Sequence, residues 1–280
     1  MDALDVQTLL ETPTVELHDV CCPGLPVEPT EDESTSDLRL VFPYRGVFVR
    51  HVGDDQAVAE PNQVLFFNAG EAYRISHPVP GGDACLSLSI SEALLRELTP
   101  AGLLRDGGGF VFRQQCLRID PRAQALVALL RHSTQRSLAE TLEAESLTLT
   151  LVMRALGPRT AHTPASTPTR RRLVDRVKVL LASDLARRWT LADIAAEIGH
   201  SPVYLTQVFQ QVEGLPLYRY QLRMRLARAL DLLGQYDDLT ALGLDLGFSS
   251  HSHFTSTFSQ AYGRSPSEFR QAVNRRVAGS

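Results

Sequence analysis

At 280 residues the chain is long enough for two domains, and its 44% hydrophobic content can supply a core to each. Four cysteines, Cys21, Cys22, Cys85 and Cys116, are too few and too scattered for a disulfide framework, no CxxC pair marks a zinc knuckle, and no apolar run is long enough to span a membrane. The net charge of −4 is uneven: residues 170–280 carry 15 Lys and Arg against 10 Asp and Glu, which leaves −9 for residues 1–169.

Residues 1–119 read as short strands with turns. Apolar, partly alternating runs at 38–42, 47–52, 63–67, 73–75 and 85–90 are broken by Pro, Gly, Asn and Asp, and Gly53-Asp54-Asp55 supplies a hairpin turn. Many short strands at close spacing predict a sandwich or small barrel. Residues 28–37 are acidic with nothing to bury, which predicts an exposed loop. A barrel wide enough for a small ligand needs an apolar lining, for which Phe48, Phe66 and Tyr73 are candidates, and a few polar groups, for which Arg50, Arg74 and His77 are candidates. Alternation along a regular strand prevents Tyr73 and Arg74 from lining the same cavity. The N-terminus is acidic where a signal peptide is basic, so a cytoplasmic location with reduced thiols is expected.

Residues 120–156 change to helical period. Asp120 can cap, Pro121 suits the first helical position, and Leu126, Leu129 and Leu130 form a stripe. A second helix over 138–156 has Leu142, Leu149, Val152 and Met153 as its apolar face. Residues 157–169, rich in Pro, Thr and Ala and without periodicity, read as a flexible linker between independently moving domains. The C-terminal domain, 170–280, opens on Arg170, Arg171 and Arg172 and an amphipathic helix bearing Val174, Val177, Leu180 and Leu181. Thr190 and Asp193 then form a capping pair.

From there the chain repeats itself. Residues 194–220 align with 242–269 at a spacing of 48 residues, with one extra residue in the second turn. Gly199 matches Gly247, Ser201 matches Ser250, Leu205 matches Phe254, Phe209 matches Phe258, Gly214 matches Gly263 and Tyr220 matches Phe269. Gly247 followed by Phe248 ends a helix with a positive-φ turn, and Ser249 and Ser250 offer N-caps to the next. Ala195 and Gly243 stand where one helix must let another cross closely. The pattern predicts two helix-turn-helix units joined by a long helix over 217–233, with Tyr218, Leu222, Leu226 and Leu230 buried and Arg219, Arg223 and Arg228 nearer the polar side.

This region resembles the DNA-binding domain of the AraC/XylS family of bacterial transcription regulators, on the run Gly247-Phe-Ser-Ser250, Ser252-His-Phe254, Phe258, Gly263 and Ser265-Pro-x-x-Phe-Arg270. The segment from Pro61 to Arg74 is similar, more weakly, to the cupin-like sensor domain of such regulators. The resemblance implies an α+β multidomain fold: an N-terminal cupin-like β-barrel or sandwich, a helical dimerisation segment over 120–156, and a C-terminal all-α double helix-turn-helix. It implies double-stranded DNA as partner, a homodimer, RNA polymerase as a further candidate partner, an effector in the first domain, and neither membrane nor cofactor. If both recognition helices enter the major groove on one face of the duplex, they must stand roughly 34 Å apart.

For base contact the outward residues are Val203, Thr206, Gln207 and Gln210 in the first recognition helix and His251, Ser252, Thr255 and Ser256 in the second. Family members often place Arg at such sites and this chain has none, which shifts reliance toward phosphate contacts and DNA shape. Arg225, Arg228 and Arg264 are the phosphate candidates. Effector-binding candidates are Phe48, Phe66, Tyr73 and His77.

Two other classes stay open. A cupin-type metalloenzyme needs His-x-His with a carboxylate and a further His, and here His51 and His77 stand apart, so no enzyme is expected. A thiol- or metal-responsive regulator would gather Cys21, Cys22 and Cys85 with His77 in one barrel.

Overall fold

A computed structural model describes residues 4–107, 109–136, 138–157 and 167–274. Nine strands come first, interrupted by one short helix: β1 (Asp5–Glu11), β2 (Val15–Cys22), β3 (Arg39–Arg45), β4 (Phe48–Val52), β5 (Asp55–Ala59), β6 (Gln63–Phe67), β7 (Arg74–Ser76), β8 (Asp83–Ile90), α1 (Glu92–Leu98) and β9 (Cys116–Arg118). They form two antiparallel sheets, a six-stranded one in the order β1-β2-β8-β3-β6-β9 and a three-stranded one in the order β5-β4-β7. Val41, Leu65, Phe67 and Cys85 of the larger sheet pack against Phe48, Ala59 and Ile75 of the smaller. Strands β1, β2, β5 and β9 and helix α1 were not among the runs expected from sequence.

The acidic stretch 28–37 is largely exposed but is not a free loop. Glu33 and Thr35 form bridges to Tyr73 and Ala69, and Thr30 N–H donates to the Ile75 carbonyl at 2.8 Å. Backbone pairing, not side-chain burial, holds it along the smaller sheet.

Ten helices complete the described chain; besides α1 they are α2 (Pro121–Gln135), α3 (Thr141–Leu156), α4 (Pro168–Ser183), α5 (Leu191–Ile198), α6 (Pro202–Glu213), α7 (Leu217–Leu232), α8 (Leu239–Asp245), α9 (His251–Tyr262) and α10 (Pro266–Asn274). The far face of the larger sheet, with Leu17, Leu40, Phe42 and Phe66, shares a core with Val127 and Leu130 of α2 and with Leu151 and Val152 of α3. Thr167 caps α4 and Pro168 takes its first turn, so helix begins inside the expected linker; the rest of that linker, 158–166, lies outside the described residues.

The two halves share cores. Val47, Val49, Val58 and Val79, on the outer side of the smaller sheet, pack with Leu173, Val174, Val177 and Leu181 of α4. Ala128 of α2 joins Leu226 and Leu230 of α7 and Phe254 and Phe258 of α9. Charge is buried along the same boundary: Lys178 Nζ is 2.7 Å from Glu213 and 4.0 Å from Glu60, Arg118 reaches Glu213 at 2.8 Å, and Arg131 reaches Asp231 at 2.7 Å. This departs from the expectation of independently moving domains. Because α2 is covered by the sheet on one side and by the helical unit on the other, it is a wedge between them rather than an open dimer face.

Candidate functional site

The helical unit is built twice over. Thr190 and Asp193 make a reciprocal capping box at the start of α5, and Gly199 ends it at φ +77°. Ser201 then caps α6 through the Tyr204 N–H. In the second copy Gly247, at φ +81°, turns the chain and Ser250 caps α9 through the His253 N–H. A Cβ at Gly247 would meet the Ala186 carbonyl at 2.2 Å, and one at Gly243 would meet the Phe254 side chain at 2.9 Å, so neither position has room for a side chain as packed. The equivalent rings also meet alike: Phe209 and Tyr220 lie edge to face at 5.3 Å, Phe258 and Phe269 at 6.0 Å.

On α6 the structure leaves Val203, Gln207 and Gln210 exposed, while Thr206 is half-buried and donates to the Pro202 carbonyl at 2.9 Å. On α9 His251, Ser252 and Ser256 are exposed and Thr255 half-buried. The His251 ring lies between the Thr240 and Thr255 hydroxyls, each at 3.3 Å, which fixes the imidazole on the helix face. Neither exposed face carries an Asp, Glu, Lys or Arg. Exposed cations flank them: Arg187 and Arg188 ahead of α5, Arg219 at the start of α7, and Arg264 after α9. The first three were not among the sequence candidates, although their polar loop or helix-start positions were visible.

Arg225 is a correction. It is buried, and its guanidinium donates to the Leu185, Ala186, Arg187 and Gly247 carbonyls at 2.9–3.2 Å, which consumes the donors a phosphate would need. Arg228 is engaged with Asp231. Arg264 alone of the three phosphate candidates is exposed, with no ion pair among the described residues. Tyr218 is likewise exposed, and Tyr220 is the buried tyrosine of α7.

The second site lies between the sheets, a cavity of about 380 Å³ lined by Val41, Phe48, Phe67, Tyr73, Ile75 and Cys85, with Arg39, Glu33, His77 and Asp83 as polar groups. Of the expected lining, Phe48, Tyr73 and His77 are present and Phe66 is not. Phe66 points to the opposite side of β6 and stacks on Phe112 at 3.8 Å, because Leu65 and Phe67 take the cavity side. Arg74 points outward to Asp32 at 3.7 Å. Arg50 is buried beneath the cavity wall, donating to the Phe66 carbonyl and Glu71 and lying 4.2 Å from the Phe67 ring centre.

Cys21, Cys22 and Cys85 do not gather as one cluster. Cys22 and Cys85 face the cavity, whereas Cys21 turns to the other side of β2, 3.8 Å from the Tyr44 hydroxyl. Burial raises the Cys22 thiol and drives the Cys85 thiol well above its ordinary value. Asp83, which sequence reasoning missed, joins Cys22 and His77. The carboxylate of Asp83 lifts the His77 imidazole above its usual range, and burial opposes that.

A helix-turn-helix domain family model matches residues 194–272. Curated relatives include the regulatory protein PocR of Salmonella typhimurium, 32% identical over 85 residues, which are 30% of this chain and 28% of PocR. The HTH-type transcriptional activator RhaR of Klebsiella pneumoniae is 28% identical over 152 residues, 54% of each chain. Thus the chain spans about half or less of the length of these relatives. The C-terminal unit is an AraC-type helix-turn-helix domain. In sequence the helix-turn-helix match runs from within α5 into α10 and takes in both α6 and α9. An uncharacterized HTH-type regulator of Bacillus subtilis, YisR, is 25% identical over 211 residues, 74% of this chain and 69% of that one. A solved AraC-type DNA-binding-domain protein from Chromobacterium violaceum is 29% identical, covering 39% of this chain and 98% of that one, with a TM-score of 0.37.

Proposed function

We propose that the protein is a sequence-specific, duplex-DNA-binding transcription regulator whose DNA affinity is set by a small molecule in the inter-sheet cavity. The observation that carries this reading is the pair of equivalent recognition helices, α6 and α9, on one unit stitched through α7. Gln207 is the adenine reader of the first helix, Val203 a thymine-methyl contact, and His251, Ser252, Thr255 and Ser256 read the other end of the site. Arg187, Arg188, Arg219 and Arg264 meet phosphates. No helix among the described residues is long and apolar enough to cross a membrane.

The cavity volume and its mostly apolar lining suit a small apolar molecule with one polar group. Pairing of two copies through α3 is supported by Leu142, 73% exposed, and Met153, 57% exposed, which share a stripe with uncharged Ser146 and Thr150. RNA polymerase would be met by the bound complex.

Selection of bound fragments followed by titration at several salt concentrations tests the proposal. Log affinity should fall linearly with log salt. Gln207→Ala should relax preference at one end of the selected site by about 1–3 kcal/mol, and Thr255→Val only at the other end. A flat salt response, or equal weakening at every base position by both variants, would sink it.

A further inference from the structure

DNA binding makes no use of the three side chains that converge at one end of the inter-sheet cavity. Cys22 closes β2 and Asp83 opens β8, and the antiparallel register sets them directly opposite one another. His77 follows β7 and reaches them from the other sheet. Its Nε2 lies 3.3 Å from Cys22 Sγ and 3.0 Å from Asp83 Oδ2, and the three donor atoms all fall within 4.8 Å of one another.

A tetrahedral zinc-class ion holds a thiolate at about 2.3 Å and nitrogen or oxygen at about 2.0–2.2 Å, which places neighbouring donors about 3.3–3.6 Å apart. The spacings on either side of Nε2 need to change by only a few tenths of an ångström to match. The ring is already oriented to ligate. Its Nδ1 donates to the Pro26 carbonyl at 3.2 Å, as the outer nitrogen of a ligating histidine does, which leaves Nε2 as the ring nitrogen turned toward Cys22 Sγ and Asp83 Oδ2. Asp83 is 4% exposed and its Oδ2, although close to Nε2, makes no hydrogen bond of acceptable direction. Among the described residues its ion-pair partner is the His77 ring, at 3.0 Å, and a bound cation would supply the positive centre that a buried carboxylate needs when that ring is neutral. Sulfur, nitrogen and a single oxygen together favour a borderline-soft ion over magnesium or calcium.

We infer that Cys22, His77 and Asp83 form a three-donor site for a divalent cation of the zinc class. The fourth position is filled by water or by an anionic group of a molecule in the cavity that these residues line. The inference goes beyond the proposed function and does not depend on it, because metal binding is read optically and DNA binding is not involved.

The test uses the full chain, stripped with a chelator and titrated with Co²⁺ as an optical stand-in. Saturation at one ion per chain is expected, with a thiolate charge-transfer band that one equivalent of Zn²⁺ displaces. Cys22→Ser should lose that band, Asp83→Asn should weaken binding at least about tenfold, and Cys21→Ser, with its thiol on the other face, should change neither. Thermal unfolding with and without Zn²⁺ guards against a variant that fails to fold: the parent should gain stability and a folded His77→Gln chain should not. Absence of saturable binding, or a charge-transfer band that survives Cys22→Ser and vanishes in Cys21→Ser, overturns the assignment.

Discussion

Replacing Arg225 separates a stitching role from a DNA-contacting one. Its guanidinium spans two segments distant in sequence, the loop ahead of α5 through Leu185, Ala186 and Arg187 and the turn ahead of α9 through Gly247. A hydrogen bond from a charged donor is worth about 1.5–3 kcal/mol net. Residues 183–188 are mostly exposed, so water can replace part of what is lost, and crediting two of the four bonds at the lower value gives about 3 kcal/mol for Arg225→Met. At about 2–4 °C per kcal/mol for a chain of this size, Tm should fall by about 6–12 °C. Arg225→Lys keeps the charge but not the fork, and should recover less than half of that. Site affinity should drop by a similar factor at every salt concentration, because the spacing of the recognition helices loosens while no phosphate contact is removed. The refuting result is a Met variant that melts like the parent and whose log–log salt slope shrinks by about 0.9, the signature of one lost phosphate contact.

Lys178→Met leaves buried Glu213 with only the half-buried Arg118 and buried Glu60 with no ion-pair partner among the described residues, so unfolding in urea should show a loss of about 3–5 kcal/mol; an unchanged midpoint would mean that the inter-domain ion cluster contributes nothing. Burial raises the Asp175 carboxyl to about 6, well above the ordinary aspartate range. Because the folded state then binds the proton more tightly than the unfolded one, ionised Asp175 costs stability above about pH 6, and the cost disappears as pH falls toward 4. Asp175→Asn should therefore be more stable than the parent at pH 7.5 by about 1–3 kcal/mol, with the gap closing between pH 6 and 4; a gap that stays constant with pH refutes the assignment.

The helical unit was legible because each matched residue answers a local demand. Gly199 and Gly247 satisfy positive φ, Ser201 and Ser250 satisfy orphan N–H groups, and Phe209 and Phe258 fill equivalent gaps. Where burial surrounds an element, periodicity loses its meaning. On α7, Tyr220, Gln221, Leu222, Met224, Arg225, Leu226 and Ala227 are buried around the whole helix, so no stripe exists to find and an arginine there reads wrongly as surface. Strand β6 is buried on both faces from Gln63 to Phe67, and its alternation could not say whether Leu65 or Phe66 meets the cavity. Asp83 was invisible for another reason: its partner Cys22 lies 61 residues earlier, and that pairing register is set by the assembled sheet.

Under the proposed function, the path from cavity to reader is one strand thick. Phe48 and Val49 are neighbours on β4 and face opposite ways, Phe48 into the cavity and Val49 into the core shared with Leu173 and Val177 of α4. From α4, Lys178 carries the connection to Glu213 at the end of the first recognition helix. A ligand that repacks Phe48 therefore biases the sheet on which α4 rests, without any signal passing along residues 157–169. Allosteric couplings are typically about 1–3 kcal/mol, no more than the disruption of one buried ion pair. A packed core of this kind transmits such a shift because its side chains have few intermediate arrangements to absorb it. Exchange of Val49 for alanine should then weaken the dependence of DNA affinity on the effector while Phe48, and with it the cavity, stays in place.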